Sequence, residues 1–489
     1  MKTSCLLLAG VAACAFVVHA EQRCRVLHPS HAALKARVES YQADHQPSFL
    51  KAARVQETQL NVVDVLVGYD LSARAWITAN GKGSPDAFAA RVVSEMNACL
   101  RNTGLNDDFG FRLAGTVLVD VDVSSQSLAF TLQNDLVTAD GVAAHKSGEW
   151  AKVAAQREAL GADVVTFWVD SPSSGNIGIS YSLEDDPGSP YSSNPELIPT
   201  FGDWAYSVCG IGSVENEFVA LHEIGHVMGC GHADKTQVNP AAIVPGPQLY
   251  TYSSGYHFAV GDARYNTIMA YSFDGWGNFY DYVPFFSSSS HFYKGVPVGD
   301  AIRDNTRTLR QTCSQVARYR VSKLSPDVPP TDVSWNVTFD ARGGVASETV
   351  RAVADRGAVG ALPGATHEGL LFSGWFTNVN GGQRISESTT VTGDVTYYAV
   401  WLQPNSYGIF FDPGTSDAEW SMGCQSVAVG AVEKLNRCAL APPSGKRFVG
   451  WRRLVDADRG IYRRYDDCVM VFNLADNPGE TVILTALWE

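Results

Sequence analysis

The chain predicts an α/β (α+β) layer on a mostly parallel twisted sheet, followed by two small β-rich modules. Three observations lead there. Strand-like and helix-like segments alternate between residues 61 and 170, prolines crowd residues 323–334, and the chain repeats itself from residue 335 onward. At 489 residues it is too long for one ordinary core, since domains run about 100 to 200 residues.

"NVVDVLVGYD" (61–70) is a continuous apolar run rich in β-branched residues, the pattern of a buried strand. In "DAFAARVVSEMNACLR" (86–101), Phe88, Val92, Met96 and Leu100 recur every four residues, so the segment is an amphipathic helix, with Asp86 as its cap. "FRLAGTVLVDVDV" (111–123) is a second strand, "EWAKVAAQREALGA" (149–162) a helix stopped by Gly161, and "DVVTFWVD" (163–170) a third buried strand. A last helix is expected in "NTRTLRQTCSQVARYR" (305–320); the three prolines of "SKLSPDVPPTDVSW" cannot continue it, which makes residues 323–334 a linker. Beyond it, "VTFDARGG", "FSGWF" and "VTYYAVW" recur in the same order as "IFFDPGT", "FVGWR" and "VILTALW". A repeated strand, Gly-Trp turn and Trp-ended strand marks two related modules, 335–402 and a divergent 406–489.

Composition narrows the function. A net charge of -14 leaves no basic footprint for nucleic acid or anionic membrane, so nucleic-acid readings are set aside. Residues 1–20, "MKTSCLLLAGVAACAFVVHA", carry Lys2, an apolar run too short to span a bilayer and a small residue at the end, the pattern of an export signal. Lipidation at Cys14 is a minor alternative, because "VAAC" precedes it but the apolar run continues past it. No later segment is apolar enough for a transmembrane span, so the mature protein is expected to be secreted or at the cell surface. Residues 21–57 are polar, either a short propeptide or an N-terminal segment of the mature protein, and a domain is expected over 58–322. Ten cysteines, two of them in the leader, leave eight that export permits to oxidise. Cys24 stands near the mature N-terminus; a thiolate there would occupy a metal site and confer latency, but no cysteine-switch sequence surrounds it, so a disulfide or an unpaired thiol is the preferred reading.

The chemistry concentrates in "ALHEIGHVMGCGHAD" (220–234). Val214, Phe218, Leu221, Ile224 and Met228 recur at three- and four-residue steps, so the segment is a helix with one buried face. His222 and His226, four apart, share a side of that helix one turn apart. Gly229 can adopt the left-handed conformation that ends a helix, returning His232 to the same point. Three neutral imidazoles suit Zn²⁺ and leave its fourth position for water, the arrangement of a catalytic site, and Glu223 is placed to take a proton from that water. Cys230 inside the motif reads as a buried small residue, a disulfide partner or a redox-sensitive neighbour.

The pattern His-Glu-x-x-His-x-x-Gly-x-x-His resembles that of the metzincin zinc endopeptidases, and "YNTIMAYS" (265–272) resembles their second landmark. By that resemblance Met269 is the Met-turn methionine beneath the zinc and Tyr271 a tyrosine that steadies the oxyanion. From "VVDVLVGYDLSARAW" to about Arg320 the chain is similar to the reprolysin (adamalysin) group and its bacterial peptidyl-Asp metallopeptidase relatives. The resemblance implies a protein or peptide substrate added as a strand to a sheet edge at "NIGISYS" (Ile177, Gly178, Ile179), although the residues alone read equally as an internal strand, and it implies a disulfide between Cys209 and Cys313. The chain departs from the family at Ala233, which stands where an aspartate is usual and displaces it to Asp234. Calcium is left open. The C-terminal modules resemble internalin-type B-repeats, β-grasp-like units, which implies a cell-surface or matrix ligand. Against the peptidase reading stands one from another class, a noncatalytic surface-binding protein on a degenerate metzincin scaffold; intact Glu223, His222, His226 and His232 argue against it.

Overall fold

The computed structural model describes residues 24–44, 60–170, 176–185, 189–215, 217–243, 245–415, 422–456 and 460–489. The expected export signal, Cys14 and the Cys24 side chain lie outside them. The chain divides into two compact units, Met1–Val333 and Ser334–Glu489. No helix among the described residues is long and apolar enough to cross a membrane.

The first unit contains β1 (Cys24–Leu27), α1 (His31–Asp44), β2 (Asn61–Tyr69), α2 (Leu71–Ala79), α3 (Pro85–Asn102), β3 (Phe109–Leu118), α4 (Ala151–Leu160), β4 (Val164–Val169), β5 (Gly178–Tyr181), β6 (Tyr206–Gly210), α5 (Val219–Val227) and α6 (Asn305–Val316). Its six-stranded sheet has the order β1-β5-β6-β4-β2-β3. All neighbours are parallel except β5 against β6. The fold is therefore an α/β domain on a mostly parallel sheet, with β-rich modules after it. The apolar runs read as buried strands are buried for the reason that made them legible: helices cover both faces of a parallel sheet.

Two local expectations are corrected. Ser84, not Asp86, caps α3: its hydroxyl accepts from the Ala87 N–H at 3.2 Å, Pro85 takes the first helical position, and Asp86 instead accepts from the Thr116 hydroxyl. The apolar spacing from Val214 to Met228 overstates the active helix, which begins only at Val219; Phe218 before it has φ 52, a left-handed backbone that a bulky residue adopts only under tertiary constraint. Gly161 ends α4 at φ 65 as expected.

Asp64 interrupts the apolar run of β2, and its buried charge is paired. Arg112 of β3 bonds it through Nε at 2.6 Å and Nη2 at 3.0 Å, while Arg112 Nη1 reaches the Ser325 and Val328 carbonyls. The proline-rich segment is thus not a free tether. Thr331 N donates to the Phe111 carbonyl, Thr331 Oγ1 accepts from Leu113 N, and Asn97 Nδ2 donates to the Thr331 carbonyl, so residues 325–333 lie along the outer edge of β3.

Cys209 and Cys313 are separate buried thiols, which overturns the disulfide expected from resemblance. Cys209 is level with Trp168 in β4, and Trp168 with Tyr69 in β2. Cys313 Sγ lies 3.9 Å from Asn61 Nδ2, at the other end of the nine-residue β2. At 3.3 Å per residue the ends are about 26 Å apart, whereas a bridge needs Cα atoms within about 7 Å.

In the second unit the two modules share one topology. The strand orders Val350–Ala354, Ser334–Asp340, Val395–Leu402, Leu371–Asn378, Gly381–Arg384 and Gln425–Ala428, Ser406–Asp412, Thr481–Trp488, Phe448–Asp456, Ile461–Tyr465 correspond one to one. The Gly-Trp pairs lie within strands at register shifts, not in turns, with Gly374 at φ 133 and Gly450 at φ 138. Trp375 and Trp451 fill the two cores, and the indoles of Trp401 and Trp488 donate to the carbonyls of Ala341 and Pro413 at 2.8 and 2.7 Å.

A reducing agent is expected to leave the thermal midpoint of the protein unchanged, and mass spectrometry under non-reducing conditions to find Cys209 and Cys313 as thiols. A native bridge there would have made reduction cost about 2–4 kcal/mol.

Candidate metal centre

α5 packs against β5 and β6 and ends where Gly229, at φ 94, turns the chain back. Cys230 N donates to the Gly225 carbonyl at 2.9 Å, closing the turn, and the loop carrying His232 is pinned from outside. Gly231 N donates to the Ser253 carbonyl, Ser254 Oγ to the His232 carbonyl, and Asn305 Nδ2 to the Gly231 carbonyl. A Cβ on Gly229 would meet Leu249 at 2.9 Å, so the position needs glycine for space as well as for backbone.

The result is three buried imidazoles with converging Nε2 atoms: His232 Nε2 lies 3.1 Å from that of His222 and 2.9 Å from that of His226. His222 Nδ1 donates to the Ile268 carbonyl at 2.6 Å and His226 Nδ1 to the Cys230 carbonyl at 2.9 Å, which leaves both Nε2 lone pairs facing the common point. Among the described residues His232 Nδ1 has no hydrogen-bond partner. That ring is held by packing, between Tyr271 at 4.6 Å and Gly246, where a Cβ would lie 2.6 Å from Nδ1. Burial holds the imidazoles neutral, the form a metal requires. It drives His222 down to about 4, and takes His226 and His232 well below the ordinary value with their histidine neighbours adding to it. This donor set of three neutral nitrogens within ligand distance of one another fits Zn²⁺.

The surrounding residues complete the cleft. Met269 is fully buried under α5, its sulfur 2.5 Å from where a Cβ on Gly225 would stand, and the preceding Ile268 carbonyl orients His222. The Tyr271 ring lies against His232 and parallel to that of His222, at 6.2 Å and 12°. Its carbonyl accepts from His257 Nε2 at 2.7 Å. Glu223 is buried beneath β5, one carboxylate oxygen accepting from Ser180 Oγ at 2.7 Å and the other against Gly178. Nothing in the sequence singled out Ser180, because it is joined to Glu223 only across the fold. Cys230 is buried, its Sγ 3.9 Å from the Asn305 carbonyl, and burial pushes its thiol well up, so it behaves as a small core residue. The displaced Asp234 has a new role: it pairs with Arg303 Nε at 2.6 Å and caps the next turn through Thr236 N.

The expected peptide edge is corrected. Gly178 and Ile179 do lie on a strand above Glu223, with Ile177 just before it, but that strand is not an edge: β1 pairs with its outer side, Cys24 opposite Gly178 through Leu27 opposite Tyr181. The reason is long-range pairing with a segment some 150 residues upstream, which no local pattern reveals.

Comparison with known proteins agrees with this geometry. The family model described as Metallo-peptidase family M12 matches residues 59–282, and the one described as the Listeria-Bacteroides repeat domain matches residues 335–400. Residues 59–282 are therefore an M12 metallopeptidase domain of reprolysin type carrying a buried three-histidine cluster for a metal, and a Listeria-Bacteroides repeat domain follows. No curated protein matches the chain. Among solved structures it is similar to one described as a chaperone-substrate complex, at 14% identity over 54% of this chain and 35% of that one, with a TM-score of 0.34. Another is metalloproteinase-II from Bacteroides fragilis, at 12% identity over 58% of this chain and 71% of that one, with a TM-score of 0.24. The chain thus spans about a third of the first of these.

Two outcomes are expected. Gly225→Ala drives a methyl group onto Met269 and lowers stability by about 1–3 kcal/mol, read by denaturant titration, with weaker zinc binding in the same protein. With His222 depressed to about 4, the unfolded chain protonates before the folded one, so the metal-free protein loses stability as pH falls from about 6.5 towards 4. Denaturant midpoints measured in a chelator across that window check the sign.

Proposed function

We propose that this protein is a secreted zinc-dependent endopeptidase that hydrolyses peptide bonds in proteins, with Glu223 as general base. The observation that carries the reading is the convergence of the His222, His226 and His232 Nε2 atoms beside the buried carboxylate of Glu223. His222, His226 and His232 would hold the ion, which when bound acidifies water and polarises a carbonyl. Glu223 takes the proton of the attacking water and passes it to the leaving amine. Ser180 steadies that carboxylate by donating to it, and Gly178 lets β5 approach it closely. Tyr271, beside His232, stabilises the negative charge that develops on the carbonyl oxygen. Export through residues 1–20 would place this activity outside the cell, and the repeat modules would attach it to a surface or matrix ligand.

Glu223→Ala is expected to lower kcat towards an unfolded protein substrate by about 10²- to 10⁴-fold, while zinc content by elemental analysis stays at the wild-type level. Full activity in that variant, or none in zinc-loaded wild type, sinks the reading.

A further inference from the structure

We propose that the outer sheet face of the second repeat module binds an acidic polysaccharide, with Arg452 and Arg464 as its anion receptor; this deepens the attachment role proposed above for the repeats and does not depend on the peptidase chemistry. The sequence sets this stretch apart: residues 446–464 carry seven lysines and arginines against two aspartates, in a chain of net charge -14. Pairing of the Phe448–Asp456 and Ile461–Tyr465 strands puts Arg452 directly opposite Arg464, and Arg453 opposite Arg463. Like charges directly opposite on one sheet face cost stability. Among the described residues neither Arg452 nor Arg464 has an ion-pair partner, whereas the neighbouring Arg447 pairs with Glu489. Each is nonetheless held in place: the Arg452 guanidinium lies 4.9 Å from the centre of the Tyr462 ring, and Arg464 Nη2 donates to the Val449 carbonyl at 2.7 Å. Two fixed guanidinium groups without counter-charges are complementary to an anion.

The first module shows the same position covered. There the residue after the buried Trp375 is Phe376, where the second module has Arg452 after Trp451. Phe376 is buried and stacks on Phe410 of the second module, ring centres 4.6 Å apart. With arginine in place of that apolar contact, the second face stays open as a cleft of about 850 Å³, lined by Arg452, Leu454, Tyr462 and Ile483 together with Asp412 and Thr485. Thr485 lies opposite both Asp412 and Arg452 and donates to Asp412 at 3.1 Å, so carboxylate, hydroxyl and guanidinium form one row across three strands. That row offers donors and acceptors to sugar hydroxyls beside a cation for the acidic group, and exposed Leu454, Tyr462 and Ile483 offer apolar surface to the C–H face of a sugar ring. A sheet face presents side chains only, so an acidic peptide would gain no main-chain ladder here.

The test titrates the full-length protein, in the Glu223→Ala background so that a peptide competitor survives, with polygalacturonate, which carries carboxylates, and with heparin, which adds sulfates. Binding to at least one of them is expected, with none to neutral dextran, and it should weaken in about 0.5 M salt. Arg452→Gln should weaken it about ten-fold. The thermal midpoint of that variant should be unchanged or raised, because one of two opposed cations is gone. Arg447→Gln, the same charge change outside the cleft, should leave the affinity as it was. If Arg452→Gln impairs folding, Thr485→Val removes only a hydroxyl and should weaken binding by a smaller factor. Equal loss in Arg452→Gln and Arg447→Gln, or equally tight binding of polyglutamate, overturns the inference. Failure to bind either polysaccharide overturns it as well; sedimentation with insoluble collagen or peptidoglycan would in that case leave the attachment role standing.

Discussion

Three converging imidazole nitrogens, with His232 Nε2 about 3 Å from each of the other two, are the constraint on which the first unit depends. Neutral nitrogens with inward lone pairs repel one another. Something rigid must hold each ring. α5 fixes two of them, the carbonyls of Ile268 and Cys230 set their orientation, and the Gly229 turn with its pins at Ser253, Ser254 and Asn305 fixes the third. Glycines recur wherever these supports touch: Gly225 over Met269, Gly229 against Leu249, Gly246 over His232. Each marks a place where a methyl group would push a supporting surface away from the ligand it holds.

The sheet serves the same centre from the other side. β5 is the one strand antiparallel to its neighbour β6, and it places Ser180 and Gly178 on Glu223. A carboxylate with no exposed surface needs a donor such as the Ser180 hydroxyl, since desolvation otherwise favours its protonated form. The pairing that makes β5 useful to Glu223 also offers its outer side to another strand, and in this chain β1 takes it. At the far edge β3 is covered by residues 325–333, so both sides of the sheet are closed by segments outside the βα alternation.

The repeat unit obeys a different logic. Each module closes a five-stranded sheet over one buried tryptophan and ties its last strand back with the indole N–H of a second. The glycine before each buried tryptophan occupies a bulge at positive φ, where an L side chain is strained. That is why the pair survives in both copies of the repeat although the loops between strands differ.

Much of this was legible in the residues themselves. β2 and β4 follow from continuous apolar runs, the buried face of α3 from its four-residue spacing, and α4 from its Gly161 stop; the metal centre follows from the four-residue spacing of His222 and His226 and the glycine that returns His232. These are determined by the chain's own geometry over one to three turns, so spacing suffices. The tertiary structure alone decided the rest: β1 on the outer side of β5, Ser180 on Glu223, Arg303 on Asp234, and the separation of Cys209 from Cys313. Each of these concerns residues that are 43 or more positions apart, where proximity depends on sheet order and register rather than on local propensity.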